Sequence, residues 1–416
     1  MKFASLVRGH GLAFVASLTC TTIQFALIAR SLDTVQLGVT LACLAWATTA
    51  WEILDCRTWE LLATYERSRR VCRLDLFARL CRFELVLGGL YCALGAVLAA
   101  SLYEYWLPAV HPVALVAGLI FTAAKGLELT LRTELILRNQ NNVVWAPQTA
   151  CAVVTLLATT GLYIAGALNG SSTTIILTVQ SGLNATIYAI WIGTCARLPQ
   201  KSSQIESSTL SMREFRSELL WSNARGSGRL LMSKVDRVLL PLLFGPSAFV
   251  SYDCARRVVD KVSGLGRPIA DALMDRYLLV RGENSGRNSY RLALLLIPLA
   301  AAISIALAFG AGPLAILLYG SEVGVGVERP LVMLCPLVLL LAQAPILPLI
   351  GTSDLKHLVT VTSVALAGAM MCGLVWMSNS SLCTSAAIVS LATVAAGAVN
   401  FIVAARIVRA LGNSRA

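Results

Sequence analysis

The stretch SKVDRVLLPLLFGPSAFVSYDCARRVVDK, residues 233–261, decides how the chain is read. It carries Lys234, Asp236, Arg237, Asp253, Arg256, Arg257, Asp260 and Lys261 inside apolar runs of membrane-spanning length. A charge at the centre of a lipid-facing helix costs about 2.5–3.5 kcal/mol. With Arg225 and Arg229 just upstream, ten such charges facing lipid would cost on the order of 25 kcal/mol, more than the whole stability of a typical domain. The charges must therefore pair with one another, face a watery cavity, or both.

The rest of the chain supplies the membrane context. Of its 416 residues, 57% are hydrophobic and 13% charged, and the mean hydropathy is +0.73. Soluble domains are less apolar and more charged, so the balance points to a polytopic membrane protein. Runs of roughly 18–25 apolar residues suit a hydrocarbon core about 30 Å thick. Such runs lie near 11–32, 35–54, 83–103, 109–129, 144–167, 173–194, 218–244, 247–270, 291–311, 330–350, 355–377 and 385–407. The first begins like a signal peptide, but it continues to about Leu32 and a second follows at once, so it is predicted to be an uncleaved span.

Lys and Arg fix the orientation. With both ends cytoplasmic, one side receives Lys2, Arg8, the Arg-rich segment 57–82, Arg132, Arg138, Arg197, Lys201, Arg213, Arg216, the Arg residues of 276–291, Lys356 and the basic C-terminus. The other side, made of short links and a longer one at 312–329, shows only Arg30 and Arg329. The segment WELLATYERSRRVCRLDLFARLCRF (59–83) mixes apolar and basic residues at helical spacing. It is predicted to lie on the cytoplasmic leaflet, with Trp59 and Tyr65 as interfacial anchors. The 12 Cys form no CxxC pair and the three His lie far apart, so neither a metal site nor a cofactor is expected.

A polar, Ser-rich stretch at 200–211 sits near the midpoint, and the organisation repeats about it. Residues 29–40 laid over 241–252 align a span end, a short turn and a span start at an offset of 212. In each half a tight hairpin joins the first two spans, and a basic segment precedes the third. The expected fold is an all-α membrane protein with about twelve transmembrane helices in two parallel six-helix bundles around a central cavity. The expected division is residues 1–199, a cytoplasmic linker at 200–216, and residues 217–416.

Spacing then sorts the charges. Arg225, Arg229 and Asp236 fall on one stripe of a helix, and Arg256 with Asp260 form an i,i+4 pair of opposite sign. Arg257 and Lys261 have the same spacing but the same sign. The cations Arg225, Arg229, Lys234, Arg237, Arg256, Arg257 and Lys261 outnumber the carboxylates Asp236, Asp253 and Asp260. Surplus positive charge in a low-dielectric cleft attracts anions, and Arg favours bidentate contact with phosphate or carboxylate. The cations are therefore candidate substrate-binding residues, and the three Asp are candidate coupling or ion-pair residues. The alternative is that the charges only lock helices together and snorkel to headgroups, as Arg225, Arg267 and Asp271 near the inner end would. Glu52, Asp55 and Arg57 at the inner end of the second span, with Lys125 of the fourth, form a candidate cytoplasmic gate.

Residues 233–258 resemble the start of the C-terminal half in the polysaccharide flippases of the multidrug/oligosaccharidyl-lipid/polysaccharide exporter superfamily. Asp236 with Arg237, Gly245 with Pro246, and Tyr252 with Ala255 fall on that family's motif positions. Tyr319, Gly320 and Glu322 match its link between the ninth and tenth spans. In the first half SLDTVQLG (31–38) stands where the family has a Gly-Pro turn, and there only Leu37 and Gly38 match. The resemblance implies a non-enzymatic flippase in a bacterial plasma (inner) membrane. It would move a polyprenyl-diphosphate-linked oligosaccharide, an O-antigen or exopolysaccharide repeat unit, to the outer leaflet by rocking of the two bundles. The implied partners are that glycan, membrane lipids, and glycan polymerase and chain-length machinery, without nucleic acid. Mutual repulsion of the cations would favour closure or counter-ion entry when the site is empty. The alternatives are a multidrug exporter of the same superfamily, for which an acidic cavity is expected, and a membrane enzyme of glycan assembly such as a polymerase or ligase.

Overall fold

Apolar runs bounded by polar or glycine-containing turns set the helices. The computed structural model describes residues 3–55, 58, 62, 73–106, 112–137, 141–195, 212–266, 283–351, 356–377 and 381–413. The helices are α1 (Phe3–Ser31), α2 (Thr34–Leu54), α3 (Arg73–Trp106), α4 (Pro112–Leu137), α5 (Asn141–Ile164), α6 (Gly170–Cys195) and α7 (Met212–Ser263). They continue with α8 (Glu283–Phe309), α9 (Ala311–Leu334), α10 (Leu347–Gly351), α11 (Lys356–Trp376) and α12 (Leu382–Asn413). Short 3₁₀ segments follow α7 at Gly264–Gly266 and α9 at Cys335–Gln343. Ten of the described helical stretches are long and apolar enough to cross a membrane. α4, with Lys125, Glu128, Arg132 and Glu134, and the charged first arm of α7 complete the twelve spans that the sequence predicts.

α7 is not one straight rod. Gly245 has φ 80° and ψ 165°, a conformation essentially confined to glycine, and Pro246 follows it. In a continuous helix, residues 16 apart would be separated by about 24 Å. Instead Tyr252 hydrogen-bonds Asp236 across that interval, so the chain reverses at Gly245 into two antiparallel arms. Gly320 repeats the solution in α9 at φ 81° and ψ 173°. There the arms approach so closely that a Cβ on Gly324 would lie 2.8 Å from the backbone of Ile316.

The first half builds its corresponding turn differently. Asp33 caps α2, its Oδ1 accepting from the Gln36 amide at 2.8 Å. This explains how SLDT makes the tight turn without a Gly-Pro pair. Between α5 and α6, Asn169 and Ser172 exchange reciprocal side-chain-to-amide bonds of 2.8 Å, a capping box without a carboxylate.

Two expectations need correction. The longer outer link expected at 312–329 is itself helical, because its apolar residues and close-packed glycines pair as the α9 hairpin. Of the basic segment 59–83 ahead of the third span, Leu62, Leu76 and Leu80 face protein rather than the leaflet, packing with Leu219, and residues 59–61 and 63–72 lie outside the described residues. Residues 73–83 run straight into α3. Trp59 and Tyr65 lie outside the described residues, as do Arg57, Arg267, Asp271 and the stretch 200–211.

The chain forms two compact units, residues 16–227 and residues 228–416 with 1–15. In the first, Trp51, Tyr91 and Leu119 form a core in which the Trp51 and Tyr91 rings meet edge to face at 5.2 Å. Tyr91 places its hydroxyl on the Ala47 carbonyl at 2.7 Å, so a polar atom buried among the helices is satisfied. In the second, Ile346, Leu349, Ile350, Val359, Val403 and Ala404 share a core. Two side-chain bonds, Ser304 to the Cys335 carbonyl at 2.8 Å and Asn400 to Gln343 at 2.9 Å, pin the 3₁₀ segment. Large apolar side chains such as Leu157, Leu295, Phe309 and Trp376 remain exposed, as lipid-facing residues do.

Gly245→Ala is expected to destabilise the protein by about 1–3 kcal/mol, because its backbone region is strained for any residue with a Cβ. The thermal midpoint of the detergent-solubilised protein should fall relative to Gly161→Ala, whose position is helical and open.

Candidate functional site

Reversal at Gly245 brings the two arms of α7 into register, and the charges of residues 236–260 meet there. Arg237, on the first arm, reaches two carboxylates of the second: Nε lies 2.9 Å from Asp253 Oδ1 and Nη2 lies 2.8 Å from Asp260 Oδ2. Each carboxylate then holds a second guanidinium one turn away on its own arm. Arg257 Nε is 2.5 Å from Asp253 Oδ2, and Arg256 Nε is 3.1 Å from Asp260 Oδ1. Three guanidiniums and two carboxylates thus form one alternating chain, Arg257–Asp253–Arg237–Asp260–Arg256. Such a network is tolerable in an apolar surround because each buried charge has an opposite neighbour.

Asp236 stands beside this chain with a different partner. It is fully buried, and its Oδ2 accepts from the Tyr252 hydroxyl. Its Oδ1 has no hydrogen-bond partner, nor has Nη1 of Arg256. Phe249 stacks near Tyr252 with ring centroids 6.4 Å apart, and both side chains are fully buried. The second arm is fixed from α9, where the Tyr319 hydroxyl donates to the Cys254 carbonyl at 3.1 Å. A Cβ on Gly326 would lie 2.5 Å from Ser251 Oγ, so glycine permits that close approach.

The structure therefore gathers Asp236, Arg237, Asp253, Arg256, Arg257 and Asp260. Lys234 and Lys261 lie half-buried on the same two arms. Arg225 and Arg229 lie on the first arm, with side chains outside those described. The repulsion expected among the cations is offset by the ion pairs, because the fold sets carboxylates between the guanidiniums. The predicted Arg256–Asp260 pair is present, whereas Arg257 turns to Asp253 rather than toward Lys261. The candidate coupling carboxylates differ: Asp260 is 39% exposed at its side chain and doubly paired, and Asp236 is buried with a tyrosine.

At the proposed gate, Asp55 is buried at the C-cap of α2. The Asn223 amide donates to the carbonyls of Ile53 and Asp55 at 2.7 and 3.1 Å, tying this helix end to the start of α7. Glu52 is half-buried, and Lys125 is exposed with its ammonium 5.6 Å from the centre of the Phe121 ring. Sequence reasoning missed Tyr252 as the partner of Asp236 and passed over Glu84 on α3. Folding the sequence about Gly245 would have found the first, since it sets 236 and 237 opposite 252 and 253. A single carboxylate at a span boundary gave no comparable signal for the second.

No protein-family profile and no curated protein matches the sequence. Solved structures do match along nearly the whole chain. An outward-facing multidrug resistance MATE family transporter of the MOP superfamily superposes with TM-score 0.71 at 12% identity, covering 99% of this chain and 97% of that one. A mutant of the Vibrio cholerae MATE transporter VcmN gives 0.67 at 13%, covering 98% and 96%. A MOP superfamily transporter from Pyrococcus furiosus, described as having a binding pocket of reverse polarity that suggests a different function, gives 0.65 at 13%, covering 99% and 97%. The chain has the twelve-helix fold of these transporters.

Tyr252→Phe would leave both oxygens of buried Asp236 without a donor, at a cost of about 1–3 kcal/mol. Thermal unfolding in detergent should show the loss, and adding Asp236→Leu to Tyr252→Phe should recover part of it by removing the stranded charge.

Proposed function

We propose that the protein is a flippase that moves a polyprenyl-diphosphate-linked oligosaccharide from the cytoplasmic to the outer leaflet of a bacterial plasma membrane by alternating access. The supporting observation is the charge imbalance of the α7 hairpin. Lys234, Arg237, Arg256, Arg257 and Lys261 outnumber Asp236, Asp253 and Asp260 on two antiparallel arms. A cationic drug would be repelled by this excess, whereas a diphosphate would be attracted. The lipid tail of such a substrate can remain in the bilayer, so only its head needs a polar site. Transporters of this fold vary in pocket polarity, as the Pyrococcus furiosus protein is described, and a fold alone does not set the ligand.

The ion pairs suggest how binding and conformation are linked. Asp253 and Asp260 present carboxylate oxygens to guanidinium groups in the manner of a phosphate. A diphosphate, with more charge, would take Arg256 and Arg257 from these partners and leave Asp253 and Asp260 to Arg237. Because the network spans both arms, an anion that rewires it binds one arrangement better than the other, which is the requirement for a ligand to shift a conformational equilibrium. The unit delivered outside would then pass to glycan polymerase and chain-length machinery.

The test is outward transfer of a polyprenyl-diphosphate oligosaccharide in vesicles holding the purified protein. Wild type should transfer it, and Arg256→Ala/Arg257→Ala, at equal protein level, should be slower by about tenfold or more, as loss of charge-assisted phosphate contacts implies. Arg257→Lys should lie between the two, because it keeps the charge and loses the fork. Transport of cationic drugs without transfer of the lipid-linked glycan would return the multidrug-exporter reading to the front.

A further inference from the structure

A second polar cluster lies in the unit of residues 16–227. Glu84, on α3, is 3% exposed. Its Oε1 accepts from the Thr58 hydroxyl at 2.5 Å, and Thr58 Oγ1 lies 2.7 Å from Thr130 Oγ1 on α4. Each hydroxyl has one proton. Thr58 gives its proton to Glu84, so Thr130 must donate to Thr58. Several helical threonines in this chain return their proton to the carbonyl four residues back, as Thr133 does to Leu129 and Thr155 to Cys151. Thr130 instead directs its proton along the line that ends on Glu84.

The other oxygen, Glu84 Oε2, is buried and has no hydrogen-bond partner. Among the described residues, the charged and titratable groups that bear on this place are Asp55 at the end of α2, Cys81 on α3 itself and Glu134 on α4. Asp55 repels a negative Glu84, and Glu134 is itself fully buried. Among the described residues no group of three or more His, Cys, Asp or Glu side chains is arranged to hold a metal ion. A carboxylate with one donor, one bare oxygen and an acidic neighbour, removed from water, is an expensive form of the side chain.

We propose that Glu84 is a proton-binding site, with the proton carried on Oε2 and exchanged with water on the side that the Lys/Arg distribution marks as cytoplasmic. One proton from water converts the carboxylate to the neutral acid, and its return to water restores the charge; no other bond changes. Thr58 and Thr130 set the balance between the two forms, because their aligned hydroxyls stabilise the anion. Occupancy of the site therefore changes the charge buried between α3, α4 and the end of α2. The inference does not depend on what the α7 hairpin binds.

The test uses the intact protein in lipid nanodiscs and a hydrophobic carbodiimide, which reacts with protonated, water-shielded carboxyl groups. Peptide mass spectrometry should find the adduct on Glu84 near neutral pH, disappearing as pH rises, and absent from Glu84→Gln. In Thr58→Val the pH at which labelling is half-lost should move upward, since the donor that favours the anion is gone; a purely structural Thr58 would leave it unmoved. Exchanging choline chloride for sodium chloride should change nothing. Absence of the Glu84 adduct at every pH would overturn the proposal, and protection by sodium at fixed pH would replace it with a metal-cation site. Because labelling is read on wild type, neither result depends on a variant folding or on transport activity.

Discussion

Buried charge must find buried countercharge, and in this chain the backbone of Gly245 makes that pairing possible. A guanidinium in an apolar helix pair is costly unless carboxylates surround it. Arg237 has its carboxylates on the other arm, at Asp253 and Asp260, which only a sharp reversal can bring within 3 Å. A residue with a Cβ resists the φ of 80° that makes the reversal, so the turn and the ion-pair chain depend on each other. Removing the turn leaves Arg237 without either of its carboxylates, while the second arm keeps only its own Arg257–Asp253 and Arg256–Asp260 pairs. Tyr252 and Tyr319, with one hydrogen bond each to the first arm and from α9, hold the second arm in the register that the pairs require.

Both halves of the chain solve the same turn by different means. In the first half Asp33 accepts from the Gln36 amide and holds the start of α2 by capping. In the second, glycine adopts a conformation unavailable to other residues. A cap leaves the flanking helices free to carry ordinary apolar residues, whereas the tight glycine reversal brings long side chains on the two arms into direct contact. The charged chain accordingly belongs to the hairpin built on glycine.

Hydropathy made the spans legible because bilayer thickness fixes their length, and the i,i+4 rule foresaw Arg256 with Asp260. Cross-arm contacts were less legible, since periodicity reports only neighbours along one helix. The position of Gly245-Pro246 held the missing information: reflection about it sets Arg237 against Asp253. The α9 hairpin reads as a link between spans because its glycines and its acidic and basic residues lower local hydropathy, although Gly324 is there to let two backbones meet. Amphipathicity says that one face of the segment ahead of α3 is apolar without saying what covers it; at Leu62, Leu76 and Leu80 the cover is Leu219. Glu84 was invisible for a related reason, as its isolation from water is a property of α4 and of Thr58, not of its own helix.

The paired state also bears on what a ligand must achieve. Asp253 and Asp260 already pair with the guanidiniums, so an incoming anion would gain only the difference between its own contacts and those it displaces, less the cost of leaving two carboxylates to Arg237. A monovalent anion has little to offer over a carboxylate that is already in place. A diphosphate can engage two guanidiniums at once with several charged oxygens, and so can supply that difference. The carboxylates offset part of the positive charge on the two arms, which lets this helix pair persist in a membrane.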